Sequence, residues 1–156
     1  MAFFDSRPTI TRPANMTPYT AGDVLGGVIS FTDAGPRSGA VIITAADLGA
    51  AITAIPAGQT SWRLHLYSAT PPSALADNAI WDLTAADLPF YLGYIDIPAM
   101  TDAGTRVFSQ FDGMPDKRVN LGASETTLYA YLVTVGAFTP AANSELYYPH
   151  IGTDSL

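Results

Sequence analysis

Two histidines, His65 and His150, are the chain's whole supply of imidazole, and no cysteine accompanies them. Metal centres and nucleophilic sites use these residue types at short spacing, as in a His-x-x-x-His pair or a nucleophile beside a base. No such spacing occurs. His65 falls in "SWRLHLYS" beside Arg63, where a surface or partly packed imidazole on a strand face is expected. His150 follows "YYP" and fits a strand end or tail. Aspartate is the commoner ionisable residue, at twelve against two glutamates. Asp23, Asp33, Asp47, Asp77, Asp82, Asp102, Asp112 and Asp116 mostly stand near Gly, Asn or Pro, where a carboxylate accepts bonds from nearby amides and stabilises turns. "DNAIWDLTAAD" holds three aspartates but lacks the glycine and terminal glutamate of a calcium loop. "GDVLGG" lacks the spacing and the lysine of a phosphate loop. A hydrolase would have to rely on loop aspartates such as Asp77 and Asp82 brought together by folding. The expectation is therefore a chain that is no enzyme and takes no metal or cofactor.

Charge narrows the partners. Only 13% of residues are charged, about half the usual share, and the net charge is −7. Phosphate repels such a chain, and the sole lysine, Lys117, beside Arg118 makes no basic face, so nucleic acid is excluded as a direct partner. A soluble monomer usually relies on mixed surface charge. A thinly charged one implies either a surface of Thr, Ser, Asn and Ala, or coverage by other subunits, whose contact cores are depleted in charge. No apolar run approaches the length of a membrane span, and "MAFFDSRPTI" lacks the basic and apolar parts of a signal peptide, so neither membrane nor secretion is expected. The glycosylation sequon at Asn15 then carries little meaning.

The elements that would position these residues are mostly strands. "DVLGGVISFTD", "SGAVIITAADL", "SWRLHLYSA", "FYLGYIDIPA", "GTRVFSQFD", "ETTLYAYLVTVGAF" and "NSELYYPHI" are short, β-rich and bounded by Gly, Pro, Asp or Asn. In "TTLYAYLVTVG" both alternating faces are apolar, which predicts a central strand covered on both sides. "TAADLGAAITAI" has the best helix propensity, with Thr44 as N-cap, yet Gly49 interrupts it; "DLTAADL" at 82–88 allows one short turn. Turns fall at "DAGPRSG" and "FDGMPDKR", and a longer loop at "SATPPSALADN". The predicted fold is all-β, a β-sandwich or jelly roll with at most short helical turns. One domain spans 22–156, preceded at 1–21 by an extended arm in which Pro13 and Pro18 disfavour helix.

Several phrases occur in an order that resembles a family of small tailed-bacteriophage virion proteins. They are "TRPANMTPYTAGDVLGG", "SGAVIITAADL", "SWRLHLYSATPPSALADNAIWDL", "YLGYIDIPA" and "TTLYAYLVTVGAFTPAANSELY", and they cover nearly the whole chain. The short "DAGPRSGA" and the polar "GTDSL" depart from the pattern. The resemblance implies a phage structural protein of the head decoration, or cement, type. Its subunit would be made in the host cytoplasm, sit on the outer surface of the phage head, bind the major capsid protein and itself form a homotrimer or other cluster. It brings no catalytic residues. On this reading the arm supplies the capsid or subunit interface, with Phe3, Phe4, Arg7, Arg12, Pro13 and Tyr19 as contacts, unless it packs on its own sandwich. The alternative function is a tail or head-fibre module binding host glycans, with Trp81, Tyr91 or Tyr94 stacking on sugars.

Overall fold

The computed structural model describes all residues except Asp112 and Met114. Its strands are β1 (Phe3–Ser6), β2 (Ile10–Thr11), β3 (Val24–Phe31), β4 (Ala40–Ala50), β5 (Trp62–Tyr67), β6 (Tyr91–Ile97), β7 (Thr101–Asp102), β8 (Val107–Gln110), β9 (Lys117–Asn120), β10 (Leu128–Thr134) and β11 (Leu146–Ser155). A broad sheet runs β1-β11-β4-β8-β7, with β2 also on β11 and β9 also on β4. A narrower sheet runs β3-β10-β5-β6. Every pairing is antiparallel. Most neighbours in each sheet are distant in sequence, β7 and β8 being an exception, so the connections repeatedly cross between sheets. Two interlocked Greek keys of this kind make a jelly roll, an all-β sandwich.

Alternation along the strands builds the core. Trp62, Leu64 and Leu66 of β5 and Leu128, Ala130 and Leu132 of β10 meet Val41, Ile43, Leu48, Tyr147 and Ile151 of the broad sheet. Trp62 stands edge-on to Phe138 and to Tyr147, at 5.7 Å in each case. β10 lies between β3 and β5, and its other face is covered as well. There Tyr131 and Val133 join Val24 and Tyr67 beneath Leu75, Trp81, Leu83 and Phe90. Residues 68–90 thus roof the narrow sheet. Leu75 N–H donates to the Tyr131 hydroxyl (2.9 Å) and Trp81 Nε1–H to the Tyr67 hydroxyl (3.0 Å), which pins the roof to the strands.

The Ala-rich stretch with the best helix propensity lies in strand β4 over residues 44–50 and in an irregular connection over 51–55. The β4 backbone pairs with β11 on one side and with β8 and β9 on the other, so tertiary pairing outweighs a propensity difference of a few tenths of a kcal/mol per residue. A bulge accommodates one extra residue: Gly152 pairs with Ala45, while Thr153 pairs with Ile43. Among the described residues the helical content is one 3₁₀ turn, Leu88–Phe90.

The first 21 residues are laid along the sandwich. β1 and β2 pair with β11, and Tyr19 pairs with Phe138. Gly26 has a positive φ of 80° where Ile10 crosses β3, and a Cβ there would collide with the Ile10 side chain.

Candidate functional site

The groups able to do chemistry are dispersed. His65 is buried on β5, stacked on Trp81 at 3.7 Å, with Nδ1 2.8 Å from the Tyr91 hydroxyl. Burial, and then the nearby Arg63 charge, push its pKa down to about 4, so this is a neutral imidazole in an aromatic stack. Asp77 accepts from the Tyr19 hydroxyl (2.6 Å) and from Gly26 N–H (2.7 Å). Asp87 accepts from Ser73 N–H (2.9 Å). Asp23 and Asp102 accept from Thr20 N–H and Gly104 N–H, which is the turn-building role expected of them. Asp112 lies outside the described residues. Among the described residues no group of three or more His, Cys, Asp or Glu converges to hold a metal.

The aromatic residues considered for sugar stacking are engaged within the protein. Trp81 gives one ring face to His65, and the Arg63 guanidinium sits 3.9 Å from the centre of the Tyr94 ring while pairing with Asp96 at 2.8 Å. Tyr91 is half-buried against Tyr67 and His65.

The six residues expected at an interface divide sharply. Arg12 and Tyr19, expected to face a partner, are instead inside the chain's own sandwich, each 1% exposed. Arg12 Nε–H donates to the Tyr19 hydroxyl (2.7 Å), Nη1–H donates to the Ala142 carbonyl (3.3 Å), and Nη1 lies 3.6 Å from Glu145 Oε2. Tyr19 stacks on Phe138 at 5.0 Å, and burial followed by the bond to Asp77 raises its pKa. A cation this deep is placed by folding, since a buried charge must be matched within the protein. Pro13 is exposed, but its carbonyl accepts from Asn15 and Ser144 N–H, tying that turn down. Phe4 is half-buried, Arg7 is exposed, and Phe3 is 64% exposed.

Phe3 belongs to a larger surface. Residues paired side by side across antiparallel strands point to the same face. On the outer face of the broad sheet this aligns Phe3 and Asp154 with Ile42, Asp5 and Gly152 with Ala45, His150 with Asp47 and Gln110, and Tyr148 with Gly49 and Phe108. Phe108 and Tyr148 are 44% and 40% exposed on either side of Gly49, and the Phe3 ring lies over Gly152. A polar bridge crosses the middle: His150 Nδ1 is 2.7 Å from Asp47 and Nε2 is 2.5 Å from Asp5, which also pairs with Arg7 at 2.9 Å. The Arg7 hydrogen bond, opposed by burial and helped by His150, holds Asp5 below the usual carboxylate range. His150 is therefore a mid-strand residue and not the end or tail residue expected from "YYP".

Phe108, Tyr148 and the glycines between the rings were not anticipated. Their signal is an aromatic on the outward phase of a strand: Val107 and Ser109 point in while Phe108 points out, and Tyr147 points in while Tyr148 points out.

What these features define is a jelly-roll fold with one sheet roofed by its own chain and the other left open. No protein-family model matches the chain, and no curated protein matches it. It is similar to several solved structures. They include the Israel acute paralysis virus pentamer (12% identity, 98% of this chain and 90% of that one, TM-score 0.34). Desmodium yellow mottle tymovirus (13%, 99% and 89%, TM-score 0.29) and Cocksfoot mottle virus (11%, 99% and 97%, TM-score 0.28) are others. The jelly roll itself follows from the chain's own strand order.

Proposed function

We propose that this protein is a virion structural protein, without catalytic activity, of the phage head decoration type. It binds the outside of the head, stabilises contacts between major capsid protein subunits, and works as a homo-oligomer. The observation that carries the reading is the outer face of the broad sheet. The chain commits residues 68–90 to covering the narrow sheet yet leaves the other sheet open, with Phe3, Phe108 and Tyr148 exposed over small residues. Aromatic residues with little net charge are the composition of a protein–protein contact core. The order of phrases that resembles tailed-phage virion proteins supplies the setting, since a jelly roll alone implies no function.

The test compares phage particles made with and without the protein. Cryo-EM should place many copies over the head, and heads lacking it should release DNA at lower temperature. Copies confined to the tail, or specific retention on a glycan array, would favour the host-binding alternative and refute decoration. Deleting residues 2–18 would remove β1, β2 and the buried Arg12 from the fold itself. Phe3→Ser and Arg7→Ser alter the exposed part of that segment and leave the buried part intact.

A further inference from the structure

We propose that the cleft between β2 and β3 takes an extended, uncharged segment of a partner protein as an added strand. This site lies apart from the open face of the broad sheet. It rests on the decoration reading for the source of that segment, a subunit of the phage head.

Unused backbone groups stand on both walls of the cleft. β3 ends the narrow sheet, with β10 as its neighbour. Residues 77–79 cover the start of its free edge. Val24 N–H donates to the Ala79 carbonyl (2.8 Å), Asn78 N–H to the Val24 carbonyl (2.8 Å) and Gly26 N–H to Asp77 (2.7 Å). Antiparallel pairing turns alternate residues away from the partner strand, so two of the four from Val28 to Phe31 present N–H and C=O outward. Among the described residues, no backbone hydrogen bond outside the β10 ladder reaches these four. On the facing wall Thr11 is opposite Leu146, whose carbonyl accepts from Ala51 N–H (2.9 Å) on the β4 side. Thr11 therefore turns its own N–H and C=O away from β11. Residues 8–11 and Val28, Ile29 and Ser30 line one cleft of about 290 Å³. Ile10 packs on Gly26 and joins the two walls there.

Charge says what fits. Natural sheets guard their free edges with charged residues. β1 carries Asp5, β6 carries Asp96, β7 carries Asp102, and β9 carries Lys117 and Arg118. β2 and β3 carry no charge, and theirs are the edges that face each other across the cleft. None of the lining side chains is ionisable, while Thr9, Thr11 and Ser30 offer hydroxyls. A charged occupant would lose water there without gaining a counter-ion. An uncharged extended segment instead meets the free peptide groups with its own, which is strand addition to a sheet edge.

Hydrogen exchange of the protein, free and bound to phage heads, tests this together with a peptide titration. Labelled peptides of about twelve residues, longer than most strands, are tiled across the virion proteins and followed by fluorescence anisotropy. A peptide from a head subunit should bind, and residues 27–31 should exchange more slowly both with that peptide and on heads. Ser30→Lys and Ser30→Glu should each weaken binding by at least about tenfold, because either charge is stranded beside the added strand. Ser30 is exposed, so both variants should melt with the wild type. Opposite effects of the two charges would mark electrostatic attraction and overturn the proposal. Protein seated on heads with unchanged exchange at 27–31 would also overturn it, and would leave decoration standing. A tail-protein peptide that protects 27–31, with no protein on heads, would support strand addition and refute decoration.

Discussion

Tyr19→Phe removes a single oxygen, and that oxygen joins two charges. It accepts from Arg12 Nε–H at 2.7 Å and donates to Asp77 Oδ1 at 2.6 Å. Without it, Arg12 Nε loses its acceptor at a position with no access to water. Asp77 keeps the Gly26 N–H bond and is only half-buried, so solvent recovers part of its loss. A hydrogen bond to a charged group contributes about 1.5–3 kcal/mol. Taking about 2 for the Arg12 side and about 1 for the Asp77 side gives a loss of about 3 kcal/mol. For a domain of this size that lowers Tm by about 9 °C. The ring remains, so its stacking on Phe138 is retained and the effect isolates the hydroxyl. Urea unfolding of wild type, Tyr19→Phe, Arg12→Met and the double variant measures both the loss and the coupling, expected at about 2 kcal/mol. A loss below about 0.5 kcal/mol, or simple additivity of the two substitutions, would refute the reasoning. A projecting segment at 1–21 would produce that null result.

Three further outcomes follow from the same geometry. Gly26→Ala should cost at least about 3 kcal/mol in unfolding experiments, because a side chain at φ 80° is strained and its Cβ meets Ile10. His65 binds a proton near 6.5 when unfolded but only near 4 when folded, so acid favours the unfolded chain across that window. His65 should by itself lower stability by about 2 kcal/mol between pH 7 and 5, a contribution read as the difference in pH dependence between wild type and His65→Phe; an NMR titration of His65 above pH 6 would contradict it. Removing residues 1–11 should abolish cooperative thermal unfolding, since β1 and β2 both pair with β11.

The strands were legible wherever one short segment carried its own evidence. Both faces of "TTLYAYLVTVG" are apolar, and β10 is covered on both. "TAADLGAAITAI" was readable only as a conflict between propensity and context, because what makes its first seven residues strand is pairing with β11 and β8, both distant in sequence. The burial of Arg12 and Tyr19 was hidden for the same reason. Beside two prolines they read as an extended, available stretch, and their burial depends on Asp77 and Glu145, whose positions only the fold supplies. The open face is a property of neither Phe108 nor Tyr148 alone. It exists because Gly49 lies between them, and register cannot be read from one strand.

The position of β11 has a consequence for how the chain is made. It follows β1 to β10 in the sequence, yet it lies between β1 and β4 in the broad sheet. Until Leu146–Ser155 leaves the ribosome, β1 and β2 have no partner and one edge of β4 is bare. At about 5–20 residues per second, that edge waits several seconds for its neighbour. Folding that depends on such distant pairing is slow, and an unpaired edge invites other chains. Assembly of the broad sheet therefore waits for β11, and chains halted before β11 should be the aggregating species in the cell.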